Sequence, residues 1–365
     1  MSYLELVAGR ARQERQLVDV LLELTYACNL DCFFCYNDRA LQGRPLALSH
    51  YERLLEDLAQ LGVWTLTLSG GEPLAHADFF AIGARARALG FVVRIKTNGH
   101  ALHRAMAERI RAEIDPYALE ISLHGATPAT HDRQTQVPGS FERLMANLEV
   151  LRALDQRVRL RATLTAWNGH EAEAMLALAD RLGLPLDAQA EVTPRDNGDQ
   201  EPLAIRPSLG DRARLAAILW ERSRQERQAR TPSPKRVEGP PIPDADQPNC
   251  GAGVSSLVVD PVGNVYPCVQ WRRHLGNLHQ QPIREIWAGS EALEGVRADN
   301  IAAAGVLDAM GIPKGSAHFC PGSAARELGR PDAVYEEVRA QVEVAGPWLG
   351  RTEPAHSATL VHQAG

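Results

Sequence analysis

Cys28, Cys32 and Cys35 lie within one short run, Cys28-Asn29-Leu30-Asp31-Cys32-Phe33-Phe34-Cys35, spaced by three residues and then two. That spacing wraps three thiolates around one corner of a small inorganic cube. A [4Fe–4S] cube held by three cysteines keeps one iron without a protein ligand, and an open iron can do chemistry as well as carry electrons. The bare spacing also admits zinc, with a fourth ligand supplied from elsewhere in the chain. Three further segments stand at the ends of apolar runs. Ser69-Gly70-Gly71-Glu72-Pro73 combines glycines that permit close backbone approach with an acidic side chain, and by itself also reads as a strand-ending turn. Lys96-Thr97-Asn98-Gly99 and Ile121-Ser122-Leu123-His124-Gly125 each follow or end a short apolar run.

These segments need a scaffold that brings them to one side. Strands are expected at Val18–Thr25, Val63–Leu68, Val92–Lys96, Leu119–Leu123, Val158–Thr165 and Asp187–Val192, each an apolar run bounded by turn residues. Helices are expected near 49–61, 77–89, 102–113, 140–154 and 170–182; in the third, Leu102, Ala105, Met106 and Ile110 recur at three- and four-residue spacing. Repeated strand–helix units predict an α/β fold with a parallel sheet and outer helices, here a partial (β/α)6 TIM-like barrel. The cysteine run follows the first strand, at the C-terminal face that carries active-site loops in barrels.

The chain divides into an N-terminal helix (1–17), a barrel core (18–207), a helix and Pro-rich linker (208–248), a small second domain (249–325) and a C-terminal helix and tail (326–365). The linker holds six prolines in Thr231–Pro248, which bars it from a helix or central strand. Beyond it, Ser255–Asp260 and Asn264–Pro267 flank Pro261-Val262-Gly263 as a β-hairpin.

Composition narrows the function classes. Hydrophobic residues make up 45% and charged residues 23% of 365, as in an ordinary globular protein. The net charge of −6 argues against nucleic acid as the main partner. No stretch reaches the ~18 consecutive apolar residues that span a bilayer, and Met1–Gln16 is broken by charges, so neither a membrane nor a secretory signal is expected. A cytoplasmic location follows, and six cysteines in that reducing compartment read as metal ligands or catalytic thiols.

Four matches in order (the cysteine run with Phe34 before its third cysteine, Gly70-Gly71-Glu72-Pro73, Thr97-Asn98-Gly99 and the segment containing Ser122) resemble the radical S-adenosylmethionine (SAM) superfamily. The resemblance implies that Cys28, Cys32 and Cys35 hold a [4Fe–4S] cluster whose open iron SAM chelates. The Gly70–Pro73 segment would bind the SAM amino group and Ser122 its carboxylate. One electron would break the sulfonium bond, giving a 5′-deoxyadenosyl radical that removes hydrogen from the substrate. Relatives commonly carry Asp where this chain has His124, and no role is transferred to that residue.

Cys250, Cys268 and Cys320 remain. Twelve residues separate Cys250 from Gly263 and four lie between Gly263 and Cys268, which resembles the opening of SPASM and Twitch domains; Gly276-Asn277-Leu278, Ile286-Trp287 and Ser290 resemble the segment that follows. A full SPASM domain would add several close cysteines, and only Cys320 stands here. The resemblance implies one auxiliary Fe–S cluster on these three thiolates, its fourth iron open or bound by a residue such as Asp308 or His318. The alternatives are a degenerate domain with no metal, or zinc held by the same cysteines and a histidine.

SPASM-type enzymes commonly modify peptides, so the expected substrate is a ribosomally made precursor peptide. It would be presented by the barrel or by a separate recognition protein, with flavodoxin or ferredoxin as reductant. Tetrapyrrole or other small-cofactor biosynthesis is the enzymatic alternative, and a zinc-stabilised binding protein the non-catalytic one. Trp271-Arg272-Arg273-His274 could meet an acidic peptide or form a solvated loop, Arg133 could line the barrel mouth, and Glu191 to Arg195 could face the substrate.

Replacing Cys28, Cys32 or Cys35 singly by Ala is expected to abolish 5′-deoxyadenosine formation in an anaerobic assay with SAM and reductant, because two thiolates cannot hold the cube.

Overall fold

The computed structural model describes residues 9–229, 248–312 and 317–345. Six parallel strands form the barrel core: β1 (Asp19–Thr25), β2 (Thr65–Gly70), β3 (Val92–Thr97), β4 (Ala118–Ser122), β5 (Val158–Thr163) and β6 (Leu186–Gln189). Helices α1 (Leu48–Gln60), α2 (Phe79–Ala88), α3 (Arg104–Glu113), α4 (Pro128–Thr135), α5 (Ser140–Ala153) and α6 (Ala172–Leu182) fill the intervals. Successive side chains of a strand point to opposite faces. Val20, Leu22 and Leu24 of β1, Leu66 and Leu68 of β2, and Val93 and Ile95 of β3 are buried in the same apolar cluster as Tyr51, Leu54, Leu55 and Leu58 of α1. The alternate positions hold Asp19, Glu23, Arg94, Lys96, Glu120 and Arg161, with Leu21 and Ala118 as apolar exceptions. Glu120 ties two strands to its own, pairing with Arg94 of β3 and, at 3.0 Å, with Arg161 of β5.

Helix α4 has no counterpart among the expected elements, for a physical reason. Its sequence, Pro-Ala-Thr-His-Asp-Arg-Gln-Thr, lacks an apolar stripe. It is started by the Thr127 hydroxyl, which accepts the Thr130 N–H, and by Pro128 in its first turn. Glu171, just ahead of α6, then accepts hydrogen bonds from Thr127 and Thr130, both at 2.8 Å.

The hairpin β7 (Ser256–Val259) and β8 (Asn264–Tyr266) forms as expected, with Gly263 at a positive φ of 85°. One Asp260 oxygen accepts the Val262 and Asn264 N–H groups and closes the turn. The hairpin does not stand apart from the barrel. β7 pairs in parallel with β1, matching Asp19–Leu22 to Ser256–Val259, and β8 pairs with β9 (Gly276–Asn277). One nine-stranded sheet results, ordered β6-β5-β4-β3-β2-β1-β7-β8-β9.

Helix α7 (Leu209–Ala229) precedes the Pro-rich segment, and residues 230–247 lie outside the described residues. After β9 come α8 (Ile283–Gly289), α9 (Glu291–Ala304), α10 (Val306–Ala309), α11 (Pro321–Leu328) and α12 (Glu336–Ala345). Two largely buried ion pairs, Arg206–Glu327 and Arg212–Glu337, fasten α11 and α12 back to the barrel side. The tail expected beyond 345 and residues 1–8 of the expected first helix are outside the described residues; residues 9–13 are helical. No helix among the described residues is long and apolar enough to cross a membrane.

Candidate cluster and cofactor site

Cys28, Cys32 and Cys35 occupy the loop that leaves the C-terminal end of β1. The Leu30 N–H points at the Cys28 sulfur, 3.4 Å away, and the Asn98 side-chain amide stands 3.7 Å from it. Arg39 clamps the loop: its guanidinium meets the Asp31 carboxylate at 2.6 Å and the Leu30 carbonyl at 2.8 Å. Neighbouring segments fix the remainder. Asp31 N–H donates to the Thr135 carbonyl at 3.0 Å, and Arg195 donates to the Cys35 carbonyl at 3.1 Å. Burial pushes all three thiols up, and the Arg39 cation opposes that. The charges of Cys35 and Cys28 raise the Cys32 thiol further. A bound metal ion deprotonates such thiols outright. Three thiolates on one loop are the donor set of a [4Fe–4S] cube with one iron open.

Gly70 and Gly71 do structural service that the sequence reading assigned to ligand approach. A Cβ on Gly70 would stand 2.3 Å from the Thr25 carbonyl oxygen, and one on Gly71 would stand 2.6 Å from the carbonyl oxygens of Tyr26 and Ala27. The end of β2 thus packs directly on the backbone leading into Cys28. Asn37, which no motif signalled, locks this contact by donating to the Gly70 carbonyl at 3.0 Å.

Glu72 is buried, and its carboxylate is taken up by the protein itself. It accepts from the Thr97 hydroxyl (2.8 and 2.9 Å), the Asn98 N–H (2.9 Å) and the Leu74 N–H (3.1 Å). The two loops that flank the cysteine run are therefore joined through one side chain. Pro73 starts a short 3-10 turn directly behind it. Asn98 reaches on to Asn29 at 2.8 Å, inside the cysteine loop.

Ser122 ends β4, half-buried on the same rim. Phe34 packs edge-on against His124, ring centroids 4.8 Å apart. His124 is buried, and its backbone N–H donates to Nδ1 of His131 at 3.1 Å. Burial lowers the imidazoles of His124 to about 3 and His131 to about 4, so both are neutral near pH 7. Arg133 stacks over the Trp167 ring, 4.5 Å from its centroid, and Trp167 in turn packs against Phe33.

The other three thiols also come together. Cys250 leads into β7, and its sulfur lies 3.5 Å from the side-chain amide of the buried Asn300. Cys268 follows β8, and Cys320 caps α11, its sulfur accepting the Ser323 N–H at 3.4 Å. Gly322 makes the meeting possible, since a Cβ there would fall 2.7 Å from the Gln270 carbonyl oxygen, two residues beyond Cys268. Burial pushes the Cys268 thiol up to about 11, with Cys250 adding to it. Burial also raises the Cys320 thiol, with Glu191, Cys268 and Cys250 adding to that. Of the two suggested non-cysteine ligands, Asp308 is exposed on α10, and His318 precedes Phe319 with its N–H donating to the Gln341 side chain at 2.7 Å. Glu191 is joined to the Cys320 turn through Ser323, whose hydroxyl donates to its Oε1 at 2.7 Å.

Arg272 belongs neither to a solvated loop nor to an open peptide-binding face. Its side chain is largely buried, 2.9 Å from Glu23 of β1 and 3.0 Å from Asp196 after β6. Arg326 of α11 meets the same Asp196 at 3.0 Å, and the hydroxyls of Tyr26 and Tyr36 donate to Glu23 at 2.7 and 3.1 Å. Nothing in the spacing of these residues marks the network, because its members come from four distant segments.

A partial parallel barrel with a cysteine loop at the C-terminal end of its first strand defines a class of metalloenzyme, and comparison with known proteins identifies it. Residues 22–182 match the family model described as "Radical SAM superfamily", and residues 250–305 match the SPASM model, "Iron-sulfur cluster-binding domain". The chain is 30% identical to an AdoMet-dependent heme synthase of Methanosarcina barkeri over 75% of its own length and 83% of the relative's. It is 31% identical to a PqqA peptide cyclase of Ruegeria pomeroyi over 77% and 76% of the two chains. In fold it is similar to SuiB of Streptococcus suis bound to S-adenosylmethionine, with a TM-score of 0.65 at 16% identity, covering 92% of this chain and 81% of that one. This chain belongs to the radical SAM superfamily: it is a SAM-dependent Fe–S enzyme with a SPASM domain at its C-terminal side.

Two predictions follow from this geometry. Gly71→Ala drives a Cβ into two carbonyl oxygens that cannot yield, displacing the cysteine loop by a few tenths of an ångström or more; 5′-deoxyadenosine formation should fall by about a hundredfold, with iron content reduced in parallel. The second concerns acid. The folded pKa of His131 lies below its ordinary 6.5, so the unfolded chain binds the extra proton between about pH 6.5 and 4, and stability present above 6.5 is lost as pH falls through that window. In His131→Gln, urea unfolding between pH 6.5 and 5 should show a pH slope smaller by up to about 1.4 kcal/mol per unit.

Proposed function

We propose that Cys28, Cys32 and Cys35 hold the catalytic [4Fe–4S] cluster and that Phe34, Gly70, Gly71, Glu72, Pro73, Thr97, Asn98 and Ser122 form the SAM pocket beside it. The observation that carries this reading is the convergence of all these residues on one rim, tied together by Glu72 and by the glycine contacts. When bound, the cluster supplies the electron that cleaves SAM to the 5′-deoxyadenosyl radical. The protein's part is placement. Asn98 and the Leu30 N–H steady Cys28, while Phe33, Phe34 and Trp167 wall the loop against water. Because Glu72 already accepts from three donors, its charge acts on the SAM ammonium alongside the backbone carbonyls and serves equally to hold Thr97 and Asn98 in place. Cys250, Cys268 and Cys320 are proposed to hold an auxiliary Fe–S cluster, a reading supported by their mutual proximity and by the SPASM match.

The proposed substrate is a ribosomally made precursor peptide, worked on in a reducing cytoplasm with flavodoxin or ferredoxin as electron donor. The similarity to PqqA peptide cyclase, and at 29% identity to the mycofactocin maturase MftC of Mycobacterium ulcerans, supports a peptide. One observation favours a second substrate class: the heme synthase relative matches over a larger share of its own length, which supports a tetrapyrrole.

Anaerobic reconstitution followed by iron, sulfide and 5′-deoxyadenosine assays tests the chemistry, with about seven to eight irons per chain expected from two cubes. A colourless protein holding zinc would sink it. Mass spectrometry after turnover, with a short peptide encoded beside this gene in one arm and a propionate-bearing tetrapyrrole in the other, decides the substrate. Modification of the peptide alone is the expected result.

A further inference from the structure

Three thiolates on a four-iron cube leave one iron needing a donor from outside the cysteine set. We propose that Glu191 supplies it, so that the auxiliary cluster is bound by Cys250, Cys268, Cys320 and one carboxylate from the barrel. This rests on the auxiliary-cluster reading given above.

The geometry is local and specific. Glu191 lies two residues past Gln189, the last residue of β6, on the barrel's C-terminal rim. Its Oε1 accepts a hydrogen bond from the Ser323 hydroxyl at 2.7 Å, while the Ser323 N–H donates to the Cys320 sulfur at 3.4 Å. One residue in the first turn of α11 therefore holds the carboxylate and the thiol side by side. Asp308 is exposed, which takes it out of contention. The arrangement also has a topological sense. The three cysteines come from 250–320, whereas Glu191 comes from the last barrel strand, so the cluster would bridge the two ends of the sheet on which β6 and the β7–β9 unit lie.

The test uses the full chain with Cys28, Cys32 and Cys35 all replaced by Ala, so that any iron present belongs to the auxiliary site. After reconstitution with 57Fe, about four irons per chain are expected, and Mössbauer spectroscopy should show one of the four as a separate doublet, from its oxygen ligand. In the same background, Glu191→Cys should keep four irons and merge that doublet with the other three, while Glu191→Ala should lose the distinct iron. Spectra of both variants identical to the parent would overturn the proposal and leave a cluster with another fourth ligand. Iron loss in Glu191→Ala that Glu191→Cys does not recover would overturn it too, placing Glu191 in a purely structural role. A triple-alanine protein without iron would remove the auxiliary cluster itself and the proposal with it.

Discussion

The structure depends on β1 being paired in parallel on both edges, with β2 on one side and β7 on the other. The end of this strand delivers the Cys28–Cys35 loop, its neighbour β2 delivers Gly70–Pro73, and its other neighbour carries the hairpin that ends at Cys268. Parallel pairing puts the C-terminal ends of β1 and β2 on one rim, whereas Cys250 before β7 and Cys268 after the antiparallel β8 lie toward the N-terminal end of β1, so one hydrogen-bond ladder carries both thiol groups at its two ends. Glycine is needed where the ladder's ends are most crowded. Gly70 and Gly71 let one backbone rest on another, and Gly322 lets α11 rest on the loop after Cys268.

Charge does the joining that apolar packing cannot do in a water-accessible rim. Arg272 and Arg326 converge on Asp196, and Arg272 also holds Glu23, so a residue from β1, one from the loop after β6, one from the hairpin's far side and one from α11 meet in a single buried network. Burying such charges is costly unless each is paired and hydrogen-bonded, and here they are supported by the hydroxyls of Tyr26 and Tyr36. Burial still pushes Asp196 up to about 6, with the two arginines pulling against it. Removing either partner alone would strand a buried charge, which makes the network a specification of geometry more than a source of stability.

The six barrel strands were legible because each is a short run rich in β-branched and aliphatic residues between turn signals, and each appears within a few residues of its expected place. Helix α4 was not, since caps and Glu171 stabilise it in place of an apolar face. The candidate metal ligands were readable from spacing, because cysteines are scarce and their intervals carry meaning, and the SAM segments from their resemblance to the family's motifs. What spacing could not convey was use. Glu72 reads as a free acid and proves to be saturated by Thr97, Asn98 and Leu74. Arg272 reads as a surface cation and is buried, and Asn37 and Arg39 bear on the site with no local pattern at all. Long-range polar pairs of this kind leave no periodicity in a sequence.

The uninterrupted sheet from β6 to β9 has a mechanical corollary. A hinge needs a seam with few bonds across it, and the boundary between β1 and β7 has four paired positions instead. The hairpin of the C-terminal unit is thereby carried as a rigid extension of the barrel sheet, and any moving part must be sought in the loops that leave its strands.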